Sequence, residues 1–89
     1  MDLRSSPPPR RVLAIAGALL QLGIHESGHA SFSTRWLAQH AGYAQRTVQL
    51  ALSELADAGA VVVEYDSPLV RCSFRSHSIW DAARALMQP

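Results

Sequence analysis

The segment from His25 to His29 carries the residue types of a zinc hydrolase. Its sequence, HESGH, matches H-E-x-x-H, in which two histidines one helical turn apart bind zinc and the glutamate activates water. That chemistry needs a helix and a third ligand, which His40 or His77 would have to supply. Gly28 disfavours a helix, and 89 residues leave no room for a substrate cleft. We therefore interpret the segment as a polar loop and expect neither catalysis nor a cofactor. Zinc binding stays open as a remote alternative.

A second set of polar side chains has the types that bind DNA. Hydrophobic residues at i, i+3, i+4 and i+7 predict a helix from about residue 45 to 58 with one buried stripe, formed by Val48, Ala51, Leu52 and Leu55. The N-terminal half of the opposite side then carries Gln45, Arg46, Gln49 and Ser53. Arginine can pair with guanine O6 and N7, and glutamine can pair with adenine N6 and N7.

The flanking segments predict elements that position this helix. A shorter helix begins after the N-cap Ser33 and ends at Gly42, which leaves Tyr43 and Ala44 as a turn. The residues Ala30–Phe32 are expected to form a short strand before it. After Gly59 the pattern becomes that of a β-hairpin, with strands over Val61–Tyr65 and Leu69–Phe74 separated by Ser67-Pro68. The alternation in the second strand directs Cys72, the only cysteine, into the core as a buried thiol.

The first predicted helix, about residues 9 to 22, is apolar on all sides. It is too short to span a bilayer, so it must be buried by protein. We expect part of its surface to meet a second subunit in a homodimer, namely Leu13 with Ala14, Gly17 or Ala18. Residues 76–89 predict a last helix starting at the S-x-x-D sequence of Ser78 and Asp81. This helix packs either on its own core or on the second subunit, and we favour the second subunit.

Composition limits the domain count and the partner. The chain forms one small domain, and residues 1–9, with their three prolines, predict a flexible arm that is a solvated tail or a DNA contact. The net charge is only +1, so DNA binding would depend on where charges lie more than on their sum. All eight basic residues are arginine, which favours bidentate contacts to phosphate or guanine.

The predicted helices, turn and hairpin together resemble the winged helix-turn-helix domains of bacterial and phage regulators and replication proteins. The resemblance rests on Leu37-Ala38, Gly42, Arg46-Thr47-Val48, Ala51-Leu52, Leu55 and Ala58-Gly59, followed by the strand. It implies a mainly α fold with a small β-hairpin (α+β): a winged helix-turn-helix domain over residues 10–75 with a three-helix core and a wing, then the C-terminal helix.

The expected function is that of a cytoplasmic, homodimeric, sequence-specific double-stranded DNA-binding protein that regulates transcription and is not an enzyme. Its recognition helix would enter the major groove. The expected DNA-binding residues are Arg35, Tyr43, Gln45, Arg46, Thr47, Gln49, Ser53, Arg71 and Arg75. The alternative is a winged-helix protein-interaction module, which Leu50 on the outer face and the acidic wing at Asp66 favour. Clustering of Leu50 with Trp80 on the surface would support that alternative.

Overall fold

The computed structural model describes residues 8–87, which fold into five helices and a three-stranded antiparallel sheet. The elements in chain order are α1 (Arg10–Gln21), α2 (Ile24–Ser27), β1 (His29–Phe32), α3 (Thr34–Ala41), α4 (Gln45–Asp57), β2 (Val61–Asp66), β3 (Leu69–Phe74) and α5 (Ile79–Met87). Most of the expected N-terminal arm, residues 1–7, and the last two residues of the expected C-terminal segment, 88–89, lie outside the described residues.

The core lies between helices α1, α3, α4 and α5 and the inner face of the sheet. The hydrophobic stripe of α4 is completely buried, as its spacing predicts, and it consists of Val48, Ala51, Leu52 and Leu55. α4 packs against α1, α3 and β2. No polar or charged residue among those described is buried, so the core is held by apolar burial and packing.

The sheet has the strand order β1-β3-β2, and both pairings are antiparallel. β1 contains the strand expected at residues 30–32 and adds a third strand to the predicted hairpin. Ala30, Cys72 and Val63 are aligned across the sheet on the side that faces the core. Ser31, Arg71 and Glu64 are aligned on the outer side. The three-helix core and this β2–β3 wing make the fold a winged helix, as the resemblance implies.

The helix-turn-helix boundaries agree with the sequence prediction. The Ser33 hydroxyl accepts a hydrogen bond from the Trp36 amide at 3.0 Å, so Ser33 is the N-cap of α3. Gly42 ends α3 with a left-handed backbone, φ +78°, and α4 begins three residues later at Gln45. Ala44, as its side chain predicts, provides no cap hydrogen bond to α4.

The C-terminal helix packs on its own chain. α5 lies against α1, with Ile79, Trp80 and Ala83 buried within the chain, so contacts with a second subunit would have to use the exposed side of α5. Trp80 is 2% exposed, and its Nε1 donates to the Arg75 carbonyl oxygen at 2.9 Å. α5 begins directly after Ser78, as the sequence predicts, and the Ser78 carbonyl oxygen accepts from the Ala82 amide at 3.3 Å. His77 Nδ1 accepts from the Ile79 amide at 3.0 Å and so bonds the first amide of the helix.

The face of α1 that we expected to meet a second subunit is therefore partly covered by the protein's own chain. Gly17 and Ala18 are buried within the chain, whereas Leu13 and Ala14 are half-buried. None of the helices in residues 8–87 is both long and apolar enough to cross a lipid bilayer.

The glycine at the α3–α4 turn provides a test of this geometry. Replacing Gly42 with alanine forces a Cβ into the left-handed conformation, and no atom stands within 4 Å of that Cβ, so the cost is backbone strain alone. We expect a loss of about 1 kcal/mol, or roughly 4–8 °C in Tm, in thermal unfolding.

Gly17→Ala is the matched control. Gly17 lies inside α1, and its Cβ would meet the flexible Met87 side chain at ordinary contact distance, 3.4 Å from Sδ. Because alanine favours helix by about 1 kcal/mol over glycine, this variant should unfold at the same or a higher temperature. Equal destabilisation by both substitutions would contradict the assigned turn.

Candidate nucleic-acid interface

The solvent face of α4 is the candidate interface. At 100° per residue, the side directly opposite the buried stripe carries Arg46, Leu50, Ser53 and Asp57, in that order along the helix. All four are exposed, and Leu50 is 50% exposed. Gln45 and Gln49 flank this line on one side and are also exposed. The structure thus brings together Gln45, Arg46, Gln49 and Ser53, as the sequence predicts, on a surface that the rest of the described chain leaves uncovered.

Two members of the expected set are more restrained. Gln45 Nε2 donates to the Thr34 hydroxyl at 3.1 Å, which ties the first residue of α4 to the first residue of α3. Thr47 is half-buried at the edge of the hydrophobic stripe. Gln45 therefore helps to fix the start of α4, whereas the side chains of Arg46 and Gln49 are exposed and make no hydrogen bond within the described residues.

An ion pair that sequence reasoning missed lies beside this face. Arg11 of α1 donates to the Glu54 carboxylate of α4, with Nη2 and Oε1 2.6 Å apart. The pair neutralises the first acidic residue along α4, since Gln45 to Ser53 includes no acid. Arg11, which directly follows the expected N-terminal arm, is therefore engaged inside the domain. Forty-three positions separate the partners, and no local sequence pattern links them.

Arg35 and Tyr43 occupy different surroundings. Arg35 is exposed in the first turn of α3, one residue before the exposed Trp36, whose ring stacks on His40 with centroids 4.9 Å apart. Tyr43 is half-buried and packs against the core in the α3–α4 turn. It also lines a groove of about 280 Å³ over α1, which is bordered by α5 on one side and by the end of α3 and the turn that contains Tyr43 on the other.

The wing presents little positive charge. Arg71 is exposed on the outer side of β3, and its cross-strand neighbours are Ser31 and the acidic Glu64. Arg75 is exposed just after β3, where its amide donates to the Ala60 carbonyl oxygen at 3.0 Å. The tip ends in Asp66, which is also exposed. The two wing arginines therefore stand singly, and α4 remains the principal polar surface.

The HESGH segment does not form the zinc-protease geometry. His25 lies in α2, but Gly28 has φ +85° and ends that helix after one turn, so His29 lies in β1. The two histidines therefore do not share a helix face. The segment is also not the loop that we predicted, because it is divided between α2 and β1. The Ser27 hydroxyl lies 2.8 Å from both the Gly23 and the His29 carbonyl oxygens, and its hydrogen is donated to these two acceptors, which closes a compact turn. Within residues 8–87 no group of three His, Cys, Asp or Glu side chains is arranged to hold a metal.

Cys72 lies in the core and is not part of a reactive site. Its side chain is fully buried on the inner side of β3, and burial raises the pKa of the thiol to about 12. Because the thiolate is the nucleophilic form, Cys72 is inert near neutral pH.

This burial predicts a stability change at high pH. The pKa of Cys72 is higher in the folded than in the unfolded protein. Its stabilising contribution to the free energy of unfolding is therefore complete below the ordinary thiol pKa near 9, and it is lost as the pH rises towards 12. Between pH 8 and pH 10 the free energy of unfolding, measured with urea, should fall by about 1.4 kcal/mol more for the wild type than for Cys72→Ala. Parallel pH profiles of the two proteins, or rapid thiol labelling of the native wild type, would contradict the assignment.

Comparison with known proteins adds one likeness of structure. No protein-family model matches the sequence. No curated protein matches it significantly either. A crystal structure of a predicted DNA-binding transcriptional regulator from E. coli is similar, with a TM-score of 0.59 over 96% of this chain and 81% of that chain, at 16% sequence identity. The likeness is one of fold. It supports the winged-helix assignment independently of the residues on α4.

Proposed function

We propose that this protein binds double-stranded DNA through α4 and acts as a small transcriptional regulator. The observation that carries the proposal is the exposed face of α4 that begins with Arg46, Gln49 and Ser53, because residues 45–53 of the helix include no acid. The fold shared with the E. coli protein, described as a predicted DNA-binding transcriptional regulator, supports the same function.

The proposed mechanism places the first two to three turns of α4 in the major groove. Arg46 pairs with guanine O6 and N7 or with a phosphate, and Gln49 pairs with adenine. Thr47 at the helix start, Tyr43 in the turn and Arg35 on α3 contact the DNA backbone. Two further backbone contacts come from Arg71 and Arg75 at the wing.

The first test is fluorescence anisotropy with random-sequence duplex DNA over a salt series. We expect the wild type to bind with a negative slope of log K against log salt, because phosphate neutralisation releases counterions. Arg46→Ala should bind more weakly. On random-sequence DNA, where binding is to the phosphates and Arg46 contacts a phosphate instead of guanine, the slope should fall in magnitude by about 0.9, the value for one lost contact.

Arg84→Ala is the matched control. It removes the same charge from α5, where Arg84 lies 3.6 Å from Asp81, and it should bind as the wild type does. A wild type that does not bind at low salt would contradict the proposal. Equal losses of affinity in Arg46→Ala and Arg84→Ala would show that DNA is attracted by overall charge and not through α4, which would also contradict the proposal.

We also propose a homodimer formed through α1 and α5. α5 covers only part of α1, which leaves the groove of about 280 Å³ over α1. Its rim includes Leu86 and Met87, which are 54% and 44% exposed, and its floor includes the half-buried Leu13 and Ala14. A second copy covering these apolar side chains would place two α4 helices on one DNA site.

Sedimentation equilibrium tests the dimer. The wild type should sediment as a dimer and Leu86→Glu as a monomer, because a buried charge opposes association. Leu69→Glu on the wing is the control, since Leu69 is comparably exposed at 48%. A monomeric wild type, or equal disruption by the two variants, would contradict an interface at this groove.

A protein-interaction module is the second candidate function. Leu50 at the centre of the α4 face and the acidic Glu64 and Asp66 of the wing favour it. Trp80, however, is buried against Phe74, with ring centroids 5.4 Å apart, and cannot join Leu50 in a surface patch. The burial of Trp80 removes one of the features expected of an interaction module, whereas Leu50 and the acidic wing still favour it.

A further inference from the structure

Leu50 is the unusual residue of the proposed DNA-binding face. It is half exposed at the centre of that face, and it is the only large exposed hydrophobic side chain on α4. Its neighbours at i−4, i−1 and i+3 are Arg46, Gln49 and Ser53, all of which are exposed hydrogen-bonding side chains. One leucine surrounded by polar groups is too small an apolar patch for a typical protein interface. The Leu50 face is instead complementary to a partner surface on which one small apolar group is surrounded by hydrogen-bonding groups.

The major-groove edge of an A·T pair has these properties. Thymine exposes a 5-methyl group beside the O4 acceptor, and the paired adenine exposes N6 and N7. We propose that Leu50 contacts the thymine methyl group and makes an A·T pair part of the preferred DNA sequence. This inference rests on the proposed function, and it specifies which base pair the centre of α4 recognises.

The charges around Leu50 agree with a polyanionic partner. The residues from Gln45 to Ser53 include no acid, and Glu54 is already paired with Arg11 at 2.6 Å. Leu50 can therefore approach the groove without bringing an unpaired carboxylate towards the phosphates. The next acid, Asp57, is on the same side of α4 as Leu50, but it lies seven residues, almost two turns, beyond it.

The helix geometry also predicts where the thymine lies. Arg46 and Leu50 are four residues apart, so they are separated by about 6 Å along the axis. For a helix lying along the groove this distance equals about two base pairs of about 3.4 Å rise each. The thymine recognised by Leu50 should therefore lie about two base pairs from a guanine recognised by Arg46.

Deoxyuridine provides the test, because it differs from thymidine only by the methyl group. Duplexes that the full-length protein selects from a random pool are resynthesised with each thymine replaced in turn by deoxyuridine, and Kd is measured by anisotropy at one salt concentration. At one thymine of each half-site the wild type should bind about fourfold more weakly to the uracil duplex, the effect of one buried methyl group. For Leu50→Ala the ratio of the two Kd values should be close to one at that position.

Leu69→Ala controls for the loss of an exposed leucine. Leu69 is 48% exposed on β3 of the wing, and its removal should leave the thymine-to-uracil ratio unchanged. A wild type that binds the selected duplexes but is indifferent to every deoxyuridine would overturn the assignment of Leu50 and leave DNA binding intact. Undiminished discrimination by Leu50→Ala would also overturn it. Failure to select any duplex would instead overturn the proposed function itself.

Discussion

The structure depends on the burial of one stripe of α4. Val48, Leu52 and Leu55 are fully enclosed by neighbouring elements, and burial of side chains of this size contributes about 1.5–3 kcal/mol each. This burial fixes the rotation of α4 about its axis as well as its position. Once the stripe faces inward, helical geometry leaves Arg46, Leu50 and Ser53 facing solvent. The candidate interface is therefore a consequence of the core.

Local charge is more informative here than net charge. The chain carries a net charge of only +1, which by itself argues weakly for a nucleic-acid partner. The acids, however, lie away from the N-terminal half of α4: Glu64 and Asp66 are on the wing, and Glu54 is paired with Arg11. The surface with the most hydrogen-bonding groups thus has a lower density of negative charge than the composition indicates. An affinity based on it would come from a few well-placed contacts.

Periodicity and local chemistry predicted most of the fold. The apolar spacing placed α4 within one residue of its observed bounds, Gln45–Asp57, and the Ser33 cap and Gly42 turn follow from single-residue preferences. The pairing of Arg11 with Glu54 was not predictable, because it depends on how α1 crosses α4. The packing of α5 on α1 was also not predictable from the sequence, since an amphipathic helix has the same hydrophobic pattern whether it covers its own core or a partner. For α2, a serine hydroxyl and two left-handed glycines determined a turn that has no hydrophobic period.

α1 connects the two surfaces that the proposed function uses. It packs against α4 on one side and α5 on the other, and Arg11 joins it to α4 directly. In the proposed dimer, the partner would contact the groove over α1. Val12, Ile15 and Leu19 bury one side of α1 completely, so close packing holds α1 against its neighbours. The distance between two DNA-binding helices would then be set by packing on α1, and the wing would contribute little to it.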